Sequence, residues 1–165
     1  MIKPRFSMAF KAVTIQSLLV VRKSTRELRI CVIGTVCCGK TTLIKHLTGY
    51  NCIDMDDVFW SQATKDEFEY FGQTPFTKEM RDSIYKLVYE RISVKPGFPL
   101  FGFAILDCEV VIYLDIAENL LEEHCKKRGT HSYTDALYIK KGIEEDWNNH
   151  KLKNDKVFYY LTITE

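Results

Sequence analysis

Residues 34–41 read Gly34-Thr35-Val36-Cys37-Cys38-Gly39-Lys40-Thr41, with two glycines five apart and a Lys-Thr pair after the second. That spacing suits a loop that cradles phosphate. Glycines let the backbone fold tightly enough for its N–H groups to converge on phosphate oxygens, and a following helix start adds the positive end of its dipole. Lys40 would bridge the β- and γ-phosphates of ATP, and the Thr41 hydroxyl would ligate Mg²⁺. The nucleotide-contacting stretch is therefore expected to comprise Gly34, Thr35, Val36, Cys37, Cys38, Gly39, Lys40, Thr41 and Thr42. The two cysteines are small fillers of the loop and are assigned no chemistry.

A second group of reactive residues follows in Ile53-Asp54-Met55-Asp56-Asp57. In extended chain, Asp54 and Asp56 project to the same side, because strand side chains alternate. Two carboxylates beside a phosphate site can divide labour, one on Mg²⁺ or its water and the other on the proton of an acceptor hydroxyl. The same residues also suit an acidic turn that caps the next helix.

These groups need a scaffold, and the surrounding pattern supplies one. The run from Leu28 to Ile33 is apolar and ends at Gly34, as a buried parallel strand does. Leu43, Ile44 and Leu47 recur at helical spacing after the loop, with Gly49 as a stop. Tyr50 to Asp54 reads as a second strand, Thr77 to Val94 as a helix capped by Thr77, and Phe98 to Ile105 as a third strand. A fourth strand is expected from Glu109 to Leu114, helices from Ala117 to Lys127 and Thr134 to Asn149, and a last strand from Lys156 to Thr164. Alternating strands and helices predict a doubly wound α/β domain with a parallel sheet over residues 28–165.

Composition narrows the function. The first 30 residues hold seven Lys/Arg against Glu27, a charge of +6, whereas the rest hold 16 against 21, a charge of −5. An acidic body lacks the basic surface that nucleic-acid binding needs, so no nucleic-acid partner is expected. The longest apolar stretch, Phe98 to Leu114, is interrupted by Asp107 and Glu109, and no membrane span is expected. None of the six cysteines forms a Cys-x-x-Cys pair, which points to reduced thiols inside a cell. Residues 1–27 are a basic extension that fits either a mitochondrial targeting segment or a loosely docked tail. The location is accordingly read as cytoplasmic, with mitochondrial as the alternative.

The loop, its strand-loop-helix setting and the acidic cluster together resemble the P-loop small-molecule kinases, the group of shikimate, gluconate, nucleoside and nucleoside-monophosphate kinases. The resemblance implies a five-stranded parallel sheet ordered 2-3-1-4-5. It also implies that Asp54 serves the metal and that Asp56 or Asp57 is the base, with Asp56 also meeting the acceptor. The segment Tyr113-Leu114-Asp115-Ile116-Ala117-Glu118, leading to Cys125-Lys126-Lys127-Arg128-Gly129, looks like the fourth strand and lid entrance of thymidylate-kinase-like enzymes. It implies that Arg128 closes over ATP. Phe101-Gly102-Phe103 departs from the acid that many P-loop proteins carry after the third strand; shikimate kinases also place glycine there, which throws more weight on Asp54. Neither Asn-Lys-x-Asp nor a switch Asp-x-x-Gly is present, against a GTPase switch.

Residues 59–76 occupy the acceptor region of that group and carry Phe59, Trp60, Phe68, Tyr70, Phe71 and Phe76. They are read chiefly as packing in a small helical cap, with nucleobase stacking as the rival, and Arg81 as a holder of phosphate or carboxylate. The expected activity is transfer of the γ-phosphoryl of ATP to a small-molecule acceptor: a nucleoside, a nucleotide or a shikimate- or gluconate-like hydroxyl compound. The alternative is a non-catalytic nucleotide-binding module acting through a protein partner.

Overall fold

The apolar run before the glycine loop forms β1 (Ile30–Ile33), buried along its whole length. In the computed structural model, which describes residues 28–163, β1 is the central strand of a five-stranded parallel sheet ordered β2-β3-β1-β4-β5. The order is the expected one. The basic extension, and the targeting reading attached to it, fall outside the described residues.

After β1 the chain runs through α1 (Lys40–His46), β2 (Ile53–Asp54), α2 (Met55–Gln62), α3 (Lys65–Phe71) and α4 (Lys78–Arg91). It continues through β3 (Leu100–Gly102), β4 (Val110–Ile116), α5 (Glu118–Arg128), α6 (Tyr133–Lys153) and β5 (Val157–Ile163). Strand alternation divides the interior between the two faces of the sheet. Cys31, Ile33, Val111 and Tyr113 face a core shared with Met55, Phe59, Met80, Ile84, Val88 and Trp147. Ile30, Val32, Val110, Ile112 and Leu114 face a second core with Leu43, Leu47, Leu121 and Cys125. Both faces of a parallel sheet are thus covered, which is why its strands are apolar throughout.

Two strands are shorter than their sequence suggests. β2 has two residues because the Asp54 side chain accepts from the Asp56 N–H at 2.9 Å and starts α2 at once. β3 stops at Gly102, not Ile105, and Gly102 is tightly packed. A Cβ at Gly102 would stand 2.6 Å from Met55, a fully buried side chain. Met55 therefore fills the space that an acidic residue would occupy at this strand end.

The aromatic segment folds into α2 and α3, a small helical cap. Thr64 and Glu67 form a capping box at the start of α3, and Glu67 also receives two bonds from Arg91 on α4, at 2.9 and 2.6 Å. Those contacts fix the cap to the body of the domain. Trp147 packs edge-on against Phe158 at 5.1 Å and tilted against Tyr113 at 5.5 Å, so these rings serve as core.

Candidate active site

Three elements meet at the carboxyl ends of the strands: the loop between β1 and α1, the start of α2, and the start of α6. Their meeting point borders a cavity of about 490 Å³, inside the range of small-molecule sites.

The loop's geometry depends on backbone that ordinary residues avoid. Gly39 takes φ 98° as it enters α1, and Cys37 takes φ 60°, a left-handed conformation unusual for a side chain with a Cβ. Cys37 is buried against the second core, and its carbonyl lies 2.9 Å from His124 Nδ1 on α5. Thr35 is also buried. Its hydroxyl donates to the Ala136 carbonyl at 2.6 Å, tying the loop to α6. The Thr35 side chain is thereby used for structure.

Lys40 bends back over the loop, where its Nζ donates to the carbonyls of Gly34 at 2.6 Å and Thr35 at 2.7 Å. The ammonium is thus held where phosphate oxygens would compete for it. Gly34, Val36 and Lys40 all border the cavity. Thr41 and Thr42 are exposed in the first turn of α1.

The acidic cluster is arranged differently from the extended-strand expectation. Asp54 ends β2, but Asp56 and Asp57 lie in the first turn of α2, so the same-side projection of an extended chain does not apply. The capping reading describes Asp54, whose side chain caps α2, and Asp54 does not itself border the cavity. Its carboxyl is held above the usual carboxylate range, first by burial and then by the neighbouring charges of Asp56 and Asp57, with Lys40 and the Asp56 N–H pulling the other way. Asp56 borders the cavity; Asp57, exposed, does not.

Across the cavity, Arg81 of α4 and Asp135 of α6 face the same space. Arg128, by contrast, ends α5 as an exposed residue outside the cavity wall. Lys126 and Lys127 pair with Glu122 and Glu123 at 3.2 and 2.7 Å along the same helix. The turn beyond α5 instead brings Thr130 and His131 to the cavity. Sequence reasoning gave these two no role; the usable signal was their place between Gly129, which ends α5 at φ 64°, and Ser132, which caps α6.

Among the described residues no group of three or more His, Cys, Asp or Glu is placed to hold a metal by itself. The donor set of one hydroxyl, Thr41, and one part-buried carboxylate, Asp54, fits Mg²⁺, which keeps several waters and takes further oxygens from substrate phosphates. The crowding of carboxylates around Asp54 is also of the sign that a cation relieves.

No protein-family model and no curated protein sequence matches the chain. Among solved structures it resembles shikimate kinase from Acinetobacter baumannii in complex with shikimate, at a TM-score of 0.50 and 16% identity over 86% of each chain. A gluconokinase from Sinorhizobium meliloti 1021 gives a TM-score of 0.45 at 15% identity, covering 82% of this chain and 83% of that one. At such identities the likeness is one of fold. With its parallel sheet ordered 2-3-1-4-5 around a glycine-bounded loop, the chain has the α/β fold of the P-loop small-molecule kinases.

Proposed function

We propose that the protein transfers the γ-phosphoryl group of ATP to a small molecule held in the cavity beside the loop. The observation that carries this reading is the continuity of the cavity: Lys40 and Gly34 of the loop, Asp56 of α2 and Arg81 of α4 border one space. A phosphate donor on the loop and an acceptor beneath the helical cap would meet there without crossing bulk solvent.

In this reading the loop N–H groups and Lys40 hold the β- and γ-phosphates. Thr41 and Asp54 hold Mg²⁺, which neutralises phosphate charge when bound. Where the acceptor oxygen is a hydroxyl, Asp56 takes its proton; where it is an already ionised phosphate oxygen, Asp56 only orients the acceptor. In either case that oxygen forms its bond to phosphorus as the bond to the ADP oxygen breaks. Asp57 keeps the cluster's charge high, and Arg128 would answer charge on the transferring group once the turn after α5 closes. Most of the rate comes from positioning and electrostatics, as phosphoryl transfer requires.

The test is transfer from labelled ATP to a panel of nucleosides, nucleotides and sugar acids, with and without Mg²⁺. Asp56→Asn is expected to lower kcat by about 10²–10⁴-fold, the usual worth of general-base catalysis, with ATP affinity retained. Asp54→Ala is expected to abolish the Mg²⁺ dependence and spare metal-free ATP binding. Complete absence of Mg²⁺-dependent ATP consumption with every acceptor would leave the nucleotide-binding module as the reading, and the kinase assignment fails.

A further inference from the structure

The cavity is lined by both polar side chains and aromatic rings. Trp60, Phe68, Phe71, Phe76, Tyr85 and Phe103 all border it. Tyr85 contributes its ring and not its hydroxyl, because that hydroxyl donates to the Phe103 carbonyl at 3.0 Å. Trp60 and Phe68 stack on each other with centroids 4.9 Å apart and planes 30° apart, and Phe68 is still 50% exposed. Such a wall suits a flat ring. A polyol acid would turn hydroxyls toward these faces and lose their water partners without replacement.

Opposite the loop stands Arg81. Gly142 of α6 makes room for it: a Cβ there would lie 2.7 Å from Arg81 Nη1. The guanidinium sits 5.6 Å over the Tyr138 ring, and it pairs with Asp82 at 3.8 Å, a neighbour whose side chain is 61% exposed. Its Nη1 packs against Gly142 and Asp146 lies within reach of its charge, but among the described residues no carboxylate is hydrogen-bonded to the guanidinium, which leaves it able to take an anion. Asp56, Asp135 and Gln73 add acceptors for N–H and O–H groups of the same ligand.

We infer that the acceptor is a planar heteroaromatic molecule carrying an anionic group, the class to which nucleoside monophosphates belong, and not a polyol acid. Its ring lies against Trp60 and Phe68, and its anion meets Arg81. Phosphoryl transfer to it rests on the function proposed above, whereas its binding does not.

The experiment is calorimetric titration of the full chain, with the nucleotide site filled by a non-hydrolysable ATP analogue and Mg²⁺. The probes are thymidine and cytidine 5′-monophosphates, their neutral nucleosides, shikimate and gluconate. At least one monophosphate is expected to bind about tenfold or more tightly than its nucleoside and than either polyol acid. Trp60→Leu should weaken that binding about tenfold, while Trp60→Phe retains most of it. Arg81→Gln should bring the monophosphate down to the level of the nucleoside without weakening the nucleoside, and an unchanged melting curve shows that the variant is folded. Tighter binding of shikimate or gluconate, or of neutral nucleosides over their monophosphates, overturns the inference. Phosphorylation of a polyol acid alone overturns it and leaves the kinase reading standing. Monophosphate binding with no transfer from ATP upholds the inference and defeats the kinase reading.

Discussion

Lys40 and Asp54 illustrate how single residues are held ready at a cost. The ammonium of Lys40 spends its bonds on the Gly34 and Thr35 carbonyls, a geometry that phosphate can displace. Lys40→Ala is expected to lower kcat by about 10²–10³-fold, the scale of losing one preorganised charge-stabilising donor, while far-ultraviolet circular dichroism stays unchanged. Asp54 carries the opposite strain, since burial and two neighbouring acids hold its carboxyl above the ordinary range. The folded chain therefore binds this proton more tightly than the unfolded chain does, and Asp54's contribution to stability is lost as the pH rises through its raised pKa. Asp54→Asn keeps a good N-cap and removes the repulsion. The metal-free variant should melt about 1–3 °C above the parent at pH 7, a gap that narrows toward acid; a lower melting temperature at pH 7 would contradict this account.

Among the elements, the helical cap and β3 are held by specific contacts. Arg91 and the Thr64 N–H hold the Glu67 carboxyl down at about 2, the Arg91 bonds being the larger cause. The depressed value means that this stabilisation is present above the carboxylate's ordinary pKa of 4.5 and is lost as the pH falls toward about 2. Glu67→Gln should therefore melt below the parent at pH 7, and the two curves should converge near pH 2. At β3, Gly102→Ala sets a methyl against Met55 and is expected to cost about 1–3 kcal/mol as overpacking, read by chemical denaturation. In a Met55→Ala background, the added cost of Gly102→Ala should fall only in part, because the Cε and Sδ contacts are removed while the Met55 Cβ contact remains.

At the scale of the whole molecule, α6 links the sheet to the site. Lys140, buried in this helix, pairs with Asp115 of β4 at 3.0 Å and with Glu144 at 2.6 Å, and Asp115 also accepts from the Tyr160 hydroxyl of β5. The same helix supplies Asp135 to the cavity and the Ala136 carbonyl to Thr35. Lys140→Ala should destabilise the domain by about 3–5 kcal/mol, because it strands a half-buried carboxylate. Replacing both partners, Lys140→Met with Asp115→Asn, should restore much of the loss. Edge strand β5 pairs with β4 over its full length, from Val157 to Ile163, so this cluster also fixes where the sheet ends.

Much of this was legible in residue order. The loop was readable because its work is done by backbone, and backbone geometry is dictated locally by Gly39 and by the Lys-Thr pair that follows. The parallel sheet was readable because buried strands demand apolar runs separated by helices, while its order came with the resemblance to the P-loop kinases. Asp54 to Asp57 was legible as a cluster but not as a shape, since a two-residue strand and an immediate helix differ from an extended segment only by one capping bond. Aromatics between residues 59 and 76 illustrate the remaining limit. Whether a ring fills a core or borders a cavity depends on what stands opposite, and Phe59 and Trp60, adjacent in sequence, take the two different fates. Thr130 and His131 reach the cavity, and Arg128 does not, because of the left-handed turn at Gly129. By itself the sequence determined an α/β sheet with a glycine-bounded loop after its first strand; the geometry of the cavity beside that loop was decided by tertiary packing, which joins side chains from α2, α3, α4 and α6 that no local spacing connects.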